Sequence, residues 1–316
     1  MEKRSKPIDR GAFAPGLVMR DLDAPRKPAQ HALISRALPV DRDCVEAGTV
    51  PLISAITVTL NAGRTLERTI DSVQRQTYLA VEHIIVDGGS MDETLDIIRA
   101  RVRPGDRWIS EKDRGISDAF NKGIALARGE YVQIINADDW LSPDQLAYAV
   151  EVLTQTGADF AFGDCICYEN GKPAFRYCGD PNYGSSITKR MPPMNHPSML
   201  VRRRAYHRFG CYSLEYGNAM DYDWLARAHS CGARGAYDPR IVAHMSIEGR
   251  SVRLFRQTAR EVRRIAVEHG RNQAMAGLEY RYRVVKTALS KPVQRSCKPL
   301  YDVVRSTINP AYRPLR

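Results

Sequence analysis

With 316 residues, 43% of them apolar, the chain can bury a sizeable core in one large domain or two small ones, which excludes wholesale disorder. Its formal charge of +11 is uneven: residues 250–316 carry sixteen Lys and Arg against four Asp and Glu, a net +12, so the other 249 residues sum to −1. No run of about 18 apolar residues occurs, which excludes a spanning helix, and seven cysteines (Cys44, Cys165, Cys167, Cys178, Cys211, Cys231, Cys297) with no CxxC pair read as free thiols of a reducing compartment rather than a zinc ribbon.

Residues 1–50 are rich in Pro, Arg and Asp and show little periodicity. They read as a partly disordered extension with a short ordered piece near His31–Leu38 and no visible chemistry. Their start, M-E-K-R-S-K-P-I-D-R, lacks the apolar stretch of a secretory signal. Ile53–Leu60 is the first strong strand. Asn61-Ala62-Gly63 turns the chain into a helix with Leu66, Ile70 and Val73 on one face. His83–Val86 is a second buried strand, ending in Asp87-Gly88-Gly89-Ser90. Ser90 and Glu93 have capping-box spacing, which predicts a helix from Met91 with Leu95, Ile98 and Val102 inward. Trp108–Ser110 is a weaker third strand, and Glu111–Gly115 a polar loop. Ile116–Arg128 reads as a helix with Ile116, Phe120, Ile124 and Ala127 inward, ended by Gly129. Tyr131–Ile135 is a fourth buried strand that runs into Asn136-Ala137-Asp138-Asp139. Ser142-Pro143-Asp144-Gln145 repeats the capping-box pattern with Pro at the first helical position.

Past Leu153 the pattern changes. Asp159–Gly163 and Ile166–Tyr168 read as short strands, and the period fades through Cys178–Pro193. Ser198–Val201 is a strand, Arg202–Arg208 one helical turn, Asn218–Trp224 the start of a helix, and Ile241–Met245 a last short strand. Glu248–Ser251 is a loop. Beyond it Val252, Phe255, Ala259, Val262 and Ala266 form one helical stripe, with arginines largely off it. A second helical segment, about 272–289, stops at Pro292.

Alternating strands and helices with short connections predict a doubly wound, mostly parallel α/β sheet with helices on both faces. Ligands of such sheets bind outside the carboxyl ends of the strands. Asn61, Asp87, Asp113 and Asp138 all fall at or just after those ends, so four polar groups converge on one edge. Asp138 and Asp139 repel each other unless a cation or a donor stands between them. Hard oxygen ligands of this kind suit Mg2+ or Mn2+ completed by water and substrate phosphates; the same pair also reads as loop carboxylates leading into the next helix.

Taken together in order and spacing, I-T-V-T-L-N (56–61), I-I-V-D-G-G-S-M-D-E-T (84–94), D-R-G-I-S-D-A-F-N-K-G (113–123), A-R-G-E-Y (127–131), N-A-D-D (136–139), H-P-S-M-L-V-R-R (196–203) and M-D-Y-D-W-L-A-R (220–227) resemble family 2 glycosyltransferases of the GT-A fold. The resemblance covers roughly residues 51–250 and leaves 251–316 as a basic, amphipathic helical tail. It implies inverting transfer of a sugar from a nucleotide diphosphate donor with a divalent metal, Mg2+ or Mn2+. Carried onto this chain, it puts Asp87 on the N3–H of a uracil-like base, and Thr59, Leu60 and Asn61 at the base and ribose wall. Asp113, Asp118, Asn121 and Lys122 fall in the stretch that meets the diphosphate edge, with Asp113 foremost. Asn136-Ala137-Asp138 replaces the D-x-D pattern, with a neutral amide suited to ribose, Asp138 as metal ligand and Asp139 in support. Asp221 matches the aspartate of an E-D pair, with Met220 where Glu is usual, and becomes the general base. His196, Asp223 and His244 are candidates for acceptor or phosphate contacts, His244 also for the metal.

The implied reaction belongs to surface or exported polysaccharide synthesis at the cytoplasmic face of a membrane. The acceptor is a saccharide or a lipid-linked saccharide, and the basic tail meets anionic lipid. The tail also reads as a helix packed on the domain with a solvated basic face. A nucleotidyltransferase would need a similar pair of carboxylates, but its phosphate loop is poorly matched by N-A-G-R-T. A nucleic-acid binder would use the basic tail, although stacking aromatics are not interleaved there.

Overall fold

The computed structural model describes residues 50–187, 191–247, 254–296, 298–309 and 311–315. The expectations for residues 1–49, for the loop at 248–251 and for Val252 lie outside them. From residue 50 onward the described chain belongs to one compact unit.

The β-branched runs form the centre of the sheet. Strands β1 (Ile53–Thr59), β2 (Val81–Asp87), β3 (Arg107–Ser110) and β4 (Tyr131–Asn136) pair in parallel in the order β3-β2-β1-β4. Between them run helices α1 (Leu66–Gln74), α2 (Thr94–Arg101) and α3 (Ile116–Leu126). Strand β1 is buried along its whole length, as a strand covered on both faces must be. One face packs β1 Ile56 and Val58 with α3 Phe120 and Ile124 and with Tyr206, Tyr222 and Trp224 from later in the chain. The other packs Ile53 and Ile135 with Val73 of α1 and with Leu146 and Leu153 of α4 (Gln145–Thr156). The resulting α/β sheet with helices on both faces has the expected class.

The second half of the sheet is antiparallel. After the short β5 (Trp140–Leu141), strands β6 (Phe160–Glu169), β7 (Lys172–Tyr177) and β8 (Leu200–Arg202) extend the order to β7-β6-β8-β4, with every neighbour antiparallel. Strand β9 (Gly235–Ser246) pairs in parallel with β6 and antiparallel with β5. The two short strands expected at 159–168 are one strand. Its register shifts between Phe162 and Asp164, and a Cβ on Gly163 would sit 2.0 Å from the Ile241 carbonyl oxygen. This bulge hides the period in the sequence. Pro239 similarly conceals that β9 begins six residues before Ile241.

Neither capping box forms. Ser90 spends its hydroxyl on Asp87, and Asp92 accepts from the Thr94 N–H, so α2 starts at Thr94 rather than Met91. Ser142 pairs its hydroxyl with His244, and α4 starts at Gln145. Helices α5 (Arg203–Phe209) and α6 (Met220–Ser230) follow β8. The tail forms α7 (Phe255–Glu268), α8 (Gln273–Ser296) and α9 (Lys298–Ile308), and α8 runs through Pro292 instead of stopping there. A final strand that periodicity did not show, β10 (Tyr312–Pro314), pairs with β7 and ties the tail to the sheet edge. Among the described residues no helix is long and apolar enough to cross a membrane, and five cysteines are free thiols.

Candidate active site

Register aligns the strand ends. Thr59 lies beside Asp87, Val58 beside Asn136, and Asp87 beside Ser110. Four parallel strands therefore deliver polar residues to one carboxyl edge, the rim where an open α/β sheet binds its ligands. Asp87 has no exposed surface. Its carboxylate accepts from Ser90 Oγ at 2.5 Å, Ser110 Oγ at 2.7 Å, Ser90 N at 3.0 Å and Gly89 N at 3.1 Å. Gly89 takes the left-handed conformation this turn needs, at φ +88°. Asn61, at φ 50°, bridges to the same loop: its N–H donates to Ser90 Oγ and its Oδ1 accepts from Met91 N. Asp113 accepts from Gly115 N at 2.8 Å and closes over Gly88, where a Cβ would lie 2.3 Å from its carboxylate.

Beside this turn, two buried oxygens lack a hydrogen-bond partner: Thr59 Oγ1 on β1 and Asn136 Oδ1 on the neighbouring β4. Buried polar atoms of this kind are normally satisfied by a ligand, an ion or water. The Asn136 amide is oriented by donating through Nδ2 to Asp139 at 3.1 Å. Asp139 is only 2% exposed, and its second oxygen accepts from Ser246 N. Burial, reinforced by the Asp138 charge, pushes its carboxyl well above the usual range. Asp139 thus braces the loop from inside through Asn136 and Ser246. Asp138 is half-buried, and its backbone carbonyl is held by Arg68 Nη2 at 3.2 Å.

Arg68 lies flat over Trp140, 3.6 Å from the ring centroid, and Trp140 stacks on His244 at 5.1 Å. His244 has both ring nitrogens engaged, with Ser142 Oγ at 2.9 Å and Tyr168 Oη at 3.2 Å, and burial lowers its pKa to about 4. It is a neutral part of the loop's shoulder.

The fourth component arrives from the second half of the chain. Helix α3 begins at the rim, and its first-turn Ser117 donates to the Tyr216 carbonyl oxygen. Asn121 of α3 exchanges two hydrogen bonds with the Tyr212 backbone. These bonds tie residues 212–216 to α3, and α6, with Asp221 in its first turn, follows that segment. Asp221 accepts from Tyr222 N at 2.8 Å, a first-turn helical N–H. Burial outweighs that hydrogen bond and pushes its carboxyl up to about 6.

Three further candidates bond to neighbouring side chains. His196 stacks on Phe120 at 5.2 Å, bonds Tyr212 Oη at 2.9 Å, and is held neutral by burial, with its pKa near 4. Asp223 is 4% exposed and pairs with Arg227 at 2.9 Å, while Arg227 grips the carbonyls of Phe209 and Cys211. Lys122 is tied to Glu111 at 2.8 Å and to Asp118 at 3.6 Å, and so pins the 111–114 loop.

Sequence reading passed over Ser110, Arg68 and Glu261. Ser110 had a usable signal, because it ends a strand in register with Asp87. Arg68 had none, since its exposed position in α1 looks like any solvated face.

A divalent ion fits the rim. The partnerless Asn136 Oδ1 and the Asp138 carboxylate are hard oxygen donors. Among the described residues no group of three or more His, Cys, Asp or Glu forms a protein-only cage.

The family model for glycosyl transferase family 2 matches residues 54–212. A PGL/p-HBAD biosynthesis glycosyltransferase of Mycobacterium tuberculosis is 34% identical over 185 residues, covering 57% of this chain and 70% of that one. An uncharacterized glycosyltransferase of the same organism is 40% identical over 188 residues, with coverage of 57% and 70%. The succinoglycan biosynthesis protein ExoO of Rhizobium meliloti is 28% identical over 210 residues, covering 60% and 59%. Among solved structures, the mannosyltransferase PcManGT from Pyrobaculum calidifontis in complex with GDP-Man and Mn2+ has a TM-score of 0.55 at 20% identity, over 81% of this chain and 79% of that one. TarS 1–349 of S. aureus in complex with UDP-GlcNAc also has a TM-score of 0.55, at 16% identity over 79% and 78%. These likenesses agree with the parallel half-sheet and its polar rim: the chain belongs to glycosyl transferase family 2 and is a glycosyltransferase of the GT-A fold.

Proposed function

We propose that the protein transfers a sugar, with inversion, from a uridine-type nucleotide diphosphate donor to a hydroxyl of a saccharide or lipid-linked saccharide in polysaccharide synthesis. The observation that carries this reading is the pair of partnerless buried oxygens, Thr59 Oγ1 and Asn136 Oδ1, at the ends of adjacent strands β1 and β4. Ser117 ties in the segment that leads to Asp221. Asp87 accepts the base N3–H, for which the Ser90 hydroxyl must yield one carboxylate oxygen. Thr59 and Asn61 line the base and ribose side, Asp113 closes the edge, and Asn136 meets the ribose or the ion. A bound Mg2+ or Mn2+, held by Asp138, would neutralise charge on the departing diphosphate. Asp221 takes the proton from the acceptor hydroxyl as that oxygen attacks the anomeric carbon on the face opposite the diphosphate. Calorimetry with UDP, dTDP and GDP is the test. UDP should bind preferentially, and Mn2+ should strengthen it by at least about tenfold, or about 1.4 kcal/mol. Absence of binding to every nucleotide overturns the reading.

The tail supports a location at the inner face of a membrane. On α8, Met275, Leu278, Tyr282 and Val285 are each more than half exposed, at spacings that set them on one helix face. A cleft of about 820 Å3 lies between that face and Ser185–Ser186. Exposed Arg281 and Lys286 accompany it within the segment of net charge +12. An apolar stripe among cations suits an anionic bilayer surface. The protein should co-sediment with vesicles containing anionic phospholipid and not with neutral ones, and Leu278→Glu should abolish this. Equal recovery with both vesicle types, or none with either, removes the membrane from the proposal.

A further inference from the structure

Helix α6 carries Asp221 in its first turn, and the N–H groups ahead of it have no partners within the helix. No side chain from its own N-terminal segment caps them. The acceptor comes instead from the tail. Glu261, in the middle of α7, accepts from Asn218 N at 2.8 Å and Ala219 N at 2.9 Å through one oxygen, and from Asn218 Nδ2 at 3.2 Å through the other. Gln257, one turn earlier, donates to the second oxygen at 3.2 Å. The side-chain bond also fixes which way the Asn218 amide faces. Its Oδ1 is left buried without a partner three residues before Asp221.

We propose that Glu261 is a positioning residue for catalysis: it caps the base-bearing helix from a separate element and so sets how that helix presents Asp221. The inference rests on Asp221 being the base. A carboxylate at this cap has two effects of opposite size. As a hydrogen-bond acceptor it holds residues 218–219 and so the angle at which α6 presents its first turn. As a negative charge near Asp221 it disfavours ionisation of that neighbour, which makes Asp221 a stronger base at working pH. Burial is the main cause that raises Asp221, and the Glu261 charge adds a smaller push in the same direction. The other groups around Asp221 do not duplicate it. Tyr212 faces it from the 210–219 segment as a neutral phenol whose ionisation is strongly disfavoured by burial. Asp223 on α6 is neutralised by Arg227, and Glu268 and His269 at the end of α7 act on Asp223.

The test separates charge from capping. Glu261→Gln keeps an acceptor oxygen and loses the charge. Its acid limb in the kcat–pH profile should move to lower pH. Its kcat above pH 7 should fall several-fold, and KM for the donor should stay unchanged. Glu261→Asp, which keeps the charge on a shorter arm, should leave the limb near its wild-type position while lowering kcat. If the Gln variant fails to fold, the Asp variant decides the matter: a limb displaced as far as complete loss of the charge would require overturns the proposal. An unmoved limb in a folded Gln variant, alongside an inactive Asp221→Asn enzyme, overturns the role of Glu261 and leaves the base intact. An active Asp221→Asn enzyme overturns the base assignment itself.

Discussion

Asp221→Asn is expected to lower kcat by about 10^2–10^4 while donor affinity and donor KM stay near wild type. The substitution keeps the oxygen that accepts from Tyr222 N and removes only the ability to take a proton. In wild type the acid limb of kcat should lie near 6, because Asp221 must be ionised to act and burial has raised its carboxyl to about 6. Activity is therefore lost as pH falls through that value. Stability runs the other way. A carboxyl raised on folding contributes stability that is complete below its unfolded pKa and lost as pH rises through about 6. The shift of roughly two units corresponds to about 3 kcal/mol as an upper figure. Asp221→Asn should accordingly melt at or above the wild-type temperature at pH 8, with the advantage gone near pH 4. An inactive variant that melts higher at pH 8 separates a catalytic loss from a folding loss. Near-normal transfer by this variant would sink the base assignment.

Asp138→Ala is expected to remove the Mn2+-dependent part of UDP binding and to lower kcat by at least about 10^2, the scale of losing one preorganised charge-stabilising group. The loop should persist without this side chain, because its other anchors do not use it. Arg68 holds the Asp138 backbone carbonyl, Thr69 Oγ1 holds that of Asp139 at 2.6 Å, and the Asp139 carboxylate is fixed by Asn136 and Ser246. Calorimetry with and without Mn2+ reads the effect directly. A variant whose UDP affinity still responds to Mn2+ as wild type does would show that the ion sits elsewhere.

The first half of the fold was legible because β1, β2 and β4 are buried on both faces and read as largely apolar, β-branched runs. The polar residues that interrupt them, Asn61, Asp87, Asp113 and Asn136, mark the strand ends directly. The second half was less legible. A bulge at Gly163 and a proline inside β9 break the period that identifies strands, so β6 appeared as two pieces and β9 as half its length. Antiparallel pairing of β8 with β4 is set by contacts between residues about 70 apart, which no local pattern carries.

The candidate site divides in the same way. Position along the rim could be read from strand ends, but the partner of each side chain could not. Asp139 and Asp138 are neighbours of one type, yet one is sealed under Ser246 while the other is half-buried at the surface. His196, Asp223, Lys122 and His244 carry the right chemistry for a phosphate or acceptor site. Each bonds to a group from another element or the next helical turn that no local pattern reveals: Tyr212, Arg227, Glu111, and Ser142 with Tyr168. Glu261 illustrates the reverse case. In sequence it is one acid in an arginine-rich helix, and only the fold brings it to the start of α6.

The most direct test is an anomalous difference map from crystals grown with Mn2+ and UDP. The expected result is a single Mn2+ peak within about 2.3 Å of an Asp138 oxygen. The diphosphate should lie between that ion and the start of α6, and the uracil against Asp87. A peak at another site, or a diphosphate on the far side of the sheet from Asp221, would contradict the shared rim.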